Sequence, residues 1–420
     1  MTDSRPRRPP GSLLDQIADQ TIEQIRSAGT YRQLRELRGP QGATIQLDGA
    51  EVVHFAGSNY LDLAHHPQVV QAAADAAAAY GCAVAGSRLI CGNLDLHAAL
   101  ESELASFLGF EAALVYSSGY MANLGVLPCL LRESDVVVSD ALNHASIVDA
   151  CRLSRAEVRV FPHGDLNALE ALLREIRRHA PSDRRVLLVL DGVYSMDGDV
   201  PQLPAMIALA REHGALVMLD DAHGFGTLGP NGRGAGELLG VHANVDVYVG
   251  TLGKALGSFG AFVAGSARLR ELLINASRTF IFTCALSAPQ VAAARAALTV
   301  MQREPERRQA LQANADRLRS RLQAAGIDTA PSTTQIIPVV LRDNARTMRV
   351  SERLLARGFY AQGIRHPSVP RDTARLRITL MSSHTQAQID TFARAVAEEA
   401  EEAANVPGSL RGSGVTGPAT

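Results

Sequence analysis

Six short apolar runs, separated by segments of helical length and period, constrain this chain more than any other feature. Ala112–Tyr116, Val136–Val138, Val158–Phe161, Val186–Leu190, Leu216–Leu219 and Val245–Val249 read as strands. They are nearly continuous in apolar, often β-branched residues rather than alternating with polar ones. Strands of that kind are buried on both faces, which predicts an α/β fold with a mostly parallel sheet covered by helices on each side. Sites in such sheets lie beyond the carboxyl ends of the strands. The residues that follow each run are therefore the first place to look for chemistry.

The flanks read differently. Residues 1–12 are rich in Arg and Pro and are expected to be disordered. Leu13–Ser27 has helical period and predicts an N-terminal arm. Ala43–Phe55 reads as two short strands around Asp48-Gly49, a hairpin signal. A helix is expected from Pro67 to about Tyr80, and another over Leu94–Leu108. Beyond Ala285 the βα rhythm stops. A long helical region reaches about Ala325, with Pro305 as a break. Strands near Gln335–Leu341 and Arg375–Leu380 then alternate with helices near Thr347–Arg357 and Gln386–Ala403. The expected division is an arm and hairpin over 1–58, a large domain over 59–290, a smaller α+β domain over 291–404 and a disordered tail over 405–420.

Composition excludes several classes. A formal net charge of −2 leaves no electrostatic footprint for nucleic acid. Cys82, Cys91, Cys129, Cys151 and Cys284 are scattered and form no CxxC pair, as expected of reduced thiols in a cytoplasm, and they offer no metal site. Ala112–Leu131 carries no charge, but Ser117, Ser118, Gly119, Asn123 and Pro128 interrupt it. It reads as strand, turn and helix rather than a membrane span. No secretory apolar segment follows the basic N-terminus.

The most informative stretch is VDVYVGTLGKALGSFGAFVAG, Val245–Gly265. Lys254 is the one charge between Asp246 and Arg268. Apolar surroundings lower an amine's pKa and make it a nucleophile toward carbonyls, whereas an ordinary surface loop would leave it inert. The glycines do not make a Walker loop, because Tyr248 stands where its first glycine belongs and Ala255 follows the lysine. Nor does a helix open there, as a dinucleotide turn requires. A Schiff-base lysine remains, and it needs partners.

Those partners are present at strand ends. LVMLDDAHGFGTLG closes a strand with Asp220 and Asp221, followed by His223. A strand-end carboxylate is costly without a partner, and a pyridinium nitrogen is one; a helix cap is the ordinary alternative. YSSGYMAN turns from strand to helix at Gly119 and Tyr120, where backbone N–H groups can hold a phosphate or simply cap a helix. Thr251 could add a hydroxyl. His144, in SDALNHAS, could stack on a planar ring or serve only as a helix-start hydrogen-bonding group. Ser195, in GVYSMDGD, is a further strand-end hydroxyl. Arg375 and Arg377 share one face of a strand, and an arginine facing a cleft would pair a substrate carboxylate; at least one of them could instead be an exposed strand arginine.

SNYLDLAHHP, SRLICGNLDLH, SSGYMAN, NHAS, GVYSMDGD, DDAHGFGTLGPNGRG, GTLGKALGSFGAFVAGS, IFTCALS and IRHPSVPRDTARLRITLMSSHT occur in this order from about Asn59 to His384. On these motifs the chain resembles the α-oxoamine synthases, enzymes that depend on pyridoxal 5'-phosphate (PLP) and have the aspartate aminotransferase-like fold type I. The resemblance implies a seven-stranded, mostly parallel sheet. It implies that Lys254 holds PLP covalently and acts as catalytic base, that Asp220 partners the pyridine nitrogen and His223 the ring hydroxyl, and that His144 stacks on the ring. Gly119, Tyr120 and Thr251 would contact the phosphate, and Ser195 would lie near the ring hydroxyl. Arg377 would hold the amino-acid carboxylate, with Asn59 nearby. Thr283 would reach the phosphate of the other subunit, which implies a homodimer with its sites at the interface. The implied reaction condenses a small amino acid with an acyl thioester, carried by coenzyme A or a carrier protein, with loss of CO2. IRHPSVP followed by TARLRITL is most similar to the biotin-pathway branch that joins L-alanine to a pimeloyl thioester, although His366 stands where that branch usually has proline. SRLICGNLDLH and YMANLG are more similar to the serine palmitoyltransferase and glycine C-acetyltransferase branches.

Overall fold

The structure, a computed structural model, describes residues 11–179 and 184–405. Of the segments expected to be disordered, 1–12 and 405–420, residues 1–10 and 406–420 lie outside it, whereas Ser12 caps the first helix and Asn405 ends the last.

The chain opens with α1 (Leu13–Ser27), whose N-cap Ser12 accepts a hydrogen bond from Asp15 N–H. Three short strands follow: β1 (Leu37–Arg38), β2 (Thr44–Leu47) and β3 (Ala50–His54), the last two forming the expected hairpin. Next come α2 (Pro67–Tyr80), with proline at its first position as helix starts favour, and α3 (Asp95–Leu108). The strand–helix alternation then runs β4 (Ala112–Tyr116), α4 (Gly119–Leu130), β5 (Val136–Asp140), α5 (Ala145–Ser154), β6 (Glu157–Phe161), α6 (Leu166–His179), β7 (Val186–Asp191), α7 (Leu203–Glu212) and β8 (Leu216–Asp220). After the short α8 (Ala235–Leu238) come β9 (Val247–Thr251) and β10 (Ala261–Gly265).

These seven strands form one sheet in the order β4-β10-β9-β8-β7-β5-β6. Only β10 runs antiparallel to its neighbours. Alternation along each strand feeds two separate cores. Val136, Val138, Leu188, Leu190, Val217, Leu219 and Tyr248 pack on one face. Val137, Leu187, Val189, Met218, Val247 and Val249 pack on the other. That is why these strands read as unbroken apolar runs. From β5 the chain steps outward to β6, then returns through β7, β8 and β9. The order therefore reverses beside β5, and a crevice opens at the carboxyl ends there.

Several strands run one or two residues beyond the expected bounds, β5 to Asp140, β7 to Asp191 and β8 to Asp220, and one strand moves at both ends. The strand read as Val245–Val249 begins at Val247 and continues through Gly250 and Thr251, because β10 pairs Ala261 with Thr251 and Phe262 with Gly250. A side chain at Gly250 would strike the Phe262 ring at 2.4 Å, so the glycine serves close packing rather than ending the strand. Pro128 does not end α4, which runs on to Leu130.

The remainder is α9 (Ala267–Ala276), α10 (Arg278–Ile281), α11 (Ala288–Arg303), α12 (Glu306–Ala324), β11 (Ile336–Arg342), α13 (Asn344–Ala356), β12 (Phe359–Tyr360), β13 (Gln362–Ile364), β14 (Ala374–Thr379) and α14 (Gln386–Asn405). The long helical region does break at Pro305. Strands β11, β14 and β13 form an antiparallel sheet, while β12 pairs in parallel with β3 and ties the N-terminal hairpin to the C-terminal part of the chain. Among the described residues no helix is long and apolar enough to cross a membrane.

Candidate active site

Every strand end beside the crevice contributes to one cavity of about 200 Å³. Gly119 and Tyr120 come from the start of α4, and His144 from the turn after β5. Asp191 ends β7, Asp220 ends β8 and Thr251 ends β9. Ser195, His223 and Lys254 follow on the loops.

The loop after β9 folds back tightly, with Gly257 N–H donating to the Lys254 carbonyl at 2.9 Å, and presents the lysine side chain to the cavity. Lys254 Nζ lies 2.8 Å from His223 Nε2, and His223 Nδ1 lies 2.7 Å from the Tyr60 hydroxyl. Burial pushes the Lys254 ammonium down to about 8, with Arg377 adding to the fall and Asp220 opposing it. Burial, and then the lysine charge, hold His223 well below its ordinary value. A neutral imidazole has one donor and one acceptor nitrogen. With Lys254 charged, Nε2 accepts from Nζ and Nδ1 donates to Tyr60. With Lys254 neutral, Tyr60 donates to Nδ1 and Nε2 donates to Nζ. The Tyr60–His223 pair thus accommodates either charge state of the lysine.

The two adjacent aspartates part company because neighbouring residues at a strand end face opposite ways. Asp220 faces the cavity; its Oδ2 accepts from Asn123 Nδ2 at 2.7 Å and its Oδ1 from Ala222 N–H at 3.1 Å. Asp221 turns into the core, where Oδ2 accepts from Ala235 N–H at 2.7 Å and the Tyr248 hydroxyl at 3.2 Å. Burial pushes Asp221 up to about 7. Side chains at Gly192, Gly224 or Gly234 would come within 2.3, 2.0 or 1.8 Å of its carboxylate, so three glycines make room for it. It is a packing residue beneath the site.

His144 is the N-cap of α5. Its Nδ1 accepts from Ser146 N–H at 3.2 Å and lies 2.8 Å from Ser146 Oγ, which leaves the ring proton on Nε2. Its own N–H donates to Asp191 at 2.9 Å. Burial lowers the His144 pKa, and burial together with the nearby Asp220 raises that of Asp191. Asn123 Nδ2 also donates to Ser146 Oγ, at 2.8 Å, so Asp220, Asn123, Ser146 and His144 form one chain.

Of the arginines on β14, Arg375 is buried and pairs with Asp197, whereas Arg377 donates from Nε to the Ser195 carbonyl. The alternative of exposed strand arginines does not hold: both lie against the Ser195 loop. Three of the expected residues are not brought into the cavity lining: Arg377, engaged with the Ser195 carbonyl, Asn59 and Thr283. Asn59 shapes its own turn, its Oδ1 accepting from Leu63 and Ala64 N–H at 3.1 and 3.2 Å. A side chain at Gly257 would meet Ala64 N at 2.2 Å, so the Lys254 loop rests on that turn. Thr283 lines a separate small space with Arg88, Ser117 and Cys284.

The Ser195 loop is also pinned from behind. His163 Nδ1 lies 3.0 and 3.1 Å from the two oxygens of Asp140, and Nε2 lies 3.0 Å from Asp199 Oδ2. Carboxylates only accept, so both ring nitrogens donate and the ring is cationic. The ring meets Tyr194 edge-on at 4.3 Å, and Tyr194 N–H closes the loop on the Asp199 carbonyl at 3.1 Å. Burial lowers the His163 pKa, but the hydrogen bonds the ring donates to Asp140 and Asp199 outweigh it and the net value rises from 6.5 to about 10. A raised folded-state value contributes stability that is fully present below the unfolded value and lost as pH climbs through the folded one. His163→Gln should therefore lower the unfolding free energy by about 2 kcal/mol near pH 6, between the exposed and buried limits for ion pairs. The deficit should shrink as pH approaches 10. Denaturant titrations across pH measure it, and a deficit independent of pH would refute the charged bridge.

Several of these residues carried weak sequence signals. Asp191 ends its strand as Asp220 does, and pairs with it across β7 and β8. Asn123 lies one turn into α4. Tyr60 and Ser146 lie within motifs but look like core and capping residues.

A lysine amine, a strand-end carboxylate and a helix N-terminus around one cavity fit PLP. The first N–H groups of α4, at Gly119 and Tyr120, are among those a helix leaves without internal partners, and a phosphate can take them. The buried Asn123 Oδ1 has no hydrogen-bond partner among the described residues. On a seven-stranded sheet of this order, such a site defines a PLP-dependent enzyme of fold type I. Residues 50–396 match the family model for aminotransferase class I and II. The chain is 50% identical to the 8-amino-7-oxononanoate synthase of Geobacter sulfurreducens over 384 residues, covering 91% of this chain and 97% of that one. It superposes on a serine palmitoyltransferase from S. paucimobilis with a bound PLP–myriocin aldimine at TM-score 0.88 and 31% identity, over 94% of this chain and all of that one. A solved 8-amino-7-oxononanoate synthase from Francisella tularensis matches at TM-score 0.72 and 27% identity, over 84% of this chain and 98% of that one. The chain belongs to the α-oxoamine synthase family, the PLP-dependent acyltransferases within that class.

Proposed function

We propose that the protein condenses L-alanine with a pimeloyl-CoA-like thioester, releasing CO2 and free thiol and leaving an α-amino ketone. Relatives named 8-amino-7-oxononanoate synthase, at up to 50% identity over nine-tenths of the chain, support that substrate pair. The observation that carries the chemistry is Lys254 Nζ, lowered to about 8 in a cavity it shares with Asp220 and His144.

In this reading Lys254 Nζ holds the cofactor, with Asp220 at the pyridine nitrogen, His223 and Ser195 at the ring hydroxyl, and His144 against the ring. Gly119 and Tyr120 N–H and the Thr251 hydroxyl take the phosphate, joined by Thr283 of a second copy in a homodimer. PLP, when bound, supplies the electron sink that makes the α-carbon of an amino acid acidic. Arg377 orients the amino-acid carboxylate, with Asn59 supporting the adjoining turn. Lys254, freed when the amino acid takes its place, removes the α-proton with Nζ and returns one after CO2 has left. Between those transfers the α-carbon attacks the thioester carbonyl and the thiol departs. An amine with a pKa near 8 suits both directions of transfer near neutral pH.

A second reading is serine palmitoyltransferase-like, with serine and a long acyl-CoA, or glycine C-acetyltransferase-like, with glycine and a short one. The closer superposition on serine palmitoyltransferase, TM-score 0.88 against 0.72, favours it. Thiol release by the PLP-loaded protein decides between them. Alanine, serine and glycine are each paired with acetyl-, pimeloyl- and palmitoyl-CoA. Alanine with pimeloyl-CoA should give the highest kcat/KM, by at least tenfold, the effect of about 1.4 kcal/mol. A maximum with serine and palmitoyl-CoA would replace the first reading by the second. Amino-group transfer to a keto acid without thiol release would remove both.

A further inference from the structure

Beside the Lys254 cavity lies a second chamber of about 330 Å³, and Ser195 lines both. Its walls are the turn after β5, with Leu142, the Ser195 loop, with Met196, and the segment from His366 to Pro370 between β13 and β14. The Lys254 cavity, at about 200 Å³, is smaller than the sites that enclose drug-sized ligands. A cofactor and an amino acid leave no space in it for the length of an acyl chain. The neighbouring chamber has that space.

The polar side chains around the chamber divide into engaged and free. Asn143 donates to Ser139 Oγ at 2.9 Å and to the Val189 carbonyl at 2.8 Å, and it accepts from Asp191 N–H at 3.1 Å. Asp197 is paired with Arg375. Arg365, adjacent to His366 in the chain, sends its guanidinium to the Tyr31 carbonyl at 2.6 Å. The His366 ring and the hydroxyls of Ser368, Ser195 and the buried Tyr194 enter no hydrogen bond among the described residues, and all four residues line the chamber; Ser195 is shared with the Lys254 cavity, while His366 and Ser368 belong to this chamber and sit together on the segment between β13 and β14. Leu142, Met196 and Val369 offer apolar surface for methylenes, while an imidazole N–H and a hydroxyl wait on the same wall.

We propose that this chamber receives the far end of the acyl chain, and that His366, with Ser368, binds an oxygen-bearing terminus there, a carboxylate above all. This rests on the reading of the protein as an acyl-thioester condensing enzyme and identifies the residues that select the acyl group. A methyl terminus would displace water from both donors and give nothing back, and sites built to hydrogen-bond a ligand reject analogues that cannot reply. His366 and Ser368 are specificity residues, distant in role from the proton transfers at Lys254.

The test compares two acyl-CoAs of equal chain length, pimeloyl-CoA ending in a carboxylate and heptanoyl-CoA ending in a methyl. Thiol release is measured with PLP-loaded protein and L-alanine. The wild type should prefer pimeloyl-CoA by about tenfold or more in kcat/KM, and His366→Ala should lose about tenfold on pimeloyl-CoA, chiefly in KM. Its rate with heptanoyl-CoA should hold or rise, because the donor that the methyl terminus leaves unpaired is gone, and that rate also reports that the variant is folded. His366→Asn keeps an N–H donor and should recover part of the loss; Ser368→Ala should show a smaller loss. A preference that survives both alanine substitutions overturns the assignment, as does a wild type that turns over both thioesters equally. The latter outcome leaves the condensation reaction standing, whereas a wild type that releases thiol from no acyl-CoA removes the reaction and this inference together.

Discussion

Lys254→Ala should fold and bind PLP reversibly, yet its thiol release should fall by roughly 10⁴-fold or more, because in the proposed reaction one atom serves as both anchor and base. The fold has little reason to suffer. Among the described residues Nζ has one hydrogen-bond partner, His223 Nε2, and the His223 ring keeps its bond to Tyr60 at 2.7 Å. The loop is held by its own backbone, through Gly257 N–H to the carbonyl of residue 254 and Ser258 N–H to Leu252. Losing a buried amine also removes a desolvation cost, so thermal stability should hold or rise slightly. The absorbance of lysine-bound cofactor should disappear, and dialysis should strip PLP that the wild type retains. Activity within tenfold of wild type, with folding intact, would sink the assignment of Lys254. Loss of activity together with loss of folded structure would point instead to a packing role for the lysine.

Much of this site was legible from strand ends alone. Once the strands are buried on both faces, the sheet leaves their carboxyl ends as the place where polar groups gather, so Gly119, His144, Ser195, Asp220, Thr251 and Lys254 could be nominated one by one. Register does the rest, since β7, β8 and β9 lie side by side. What pattern could not supply was the wiring between them. Asp220 and Asp221 are chemically alike, and only the turn at the strand end sends one to the cavity and the other to a nest of glycines. Arg375 and Arg377 share a face as alternation required, but the Asp197 partner that occupies Arg375 comes from a loop nearly 180 positions away. Tyr60, Asn123 and Ser146 act through hydrogen bonds across long separations, which no local period records. Asn59 and Thr283 came from family resemblance, and within one chain their contacts are with the Lys254 loop's support and with a separate surface space.

Asp220→Asn carries the second large effect, and the wiring explains why an isosteric change should spread. Asp220 Oδ2 accepts from Asn123 Nδ2, and that same nitrogen donates to Ser146 Oγ. An amide at position 220 can keep one oxygen toward Ala222 N–H, but it then turns an NH2 toward the NH2 of Asn123. Asn123 can relieve that clash by flipping, since its Oδ1 has no partner among the described residues. The flip sets Oδ1 against Ser146 Oγ, whose proton is directed at His144 Nδ1. One lost negative charge would therefore weaken the pyridine-nitrogen contact proposed for Asp220 and disturb the histidine proposed to stack on the ring. Thiol release should drop by roughly 10³-fold, the upper scale for losing one preorganised electrostatic group in a water-excluded site. A second readout needs no turnover. Asp220 is an anion that favours the ammonium form of Lys254, so its removal should move the lysine midpoint below about 8. In the cofactor-free protein, the pH dependence of Lys254 reaction with an acylating reagent reports that midpoint. An unchanged midpoint together with a rate near wild type would mean that Asp220 is another cap at a strand end; a lowered midpoint with a crippled rate would place its charge where the chemistry needs it.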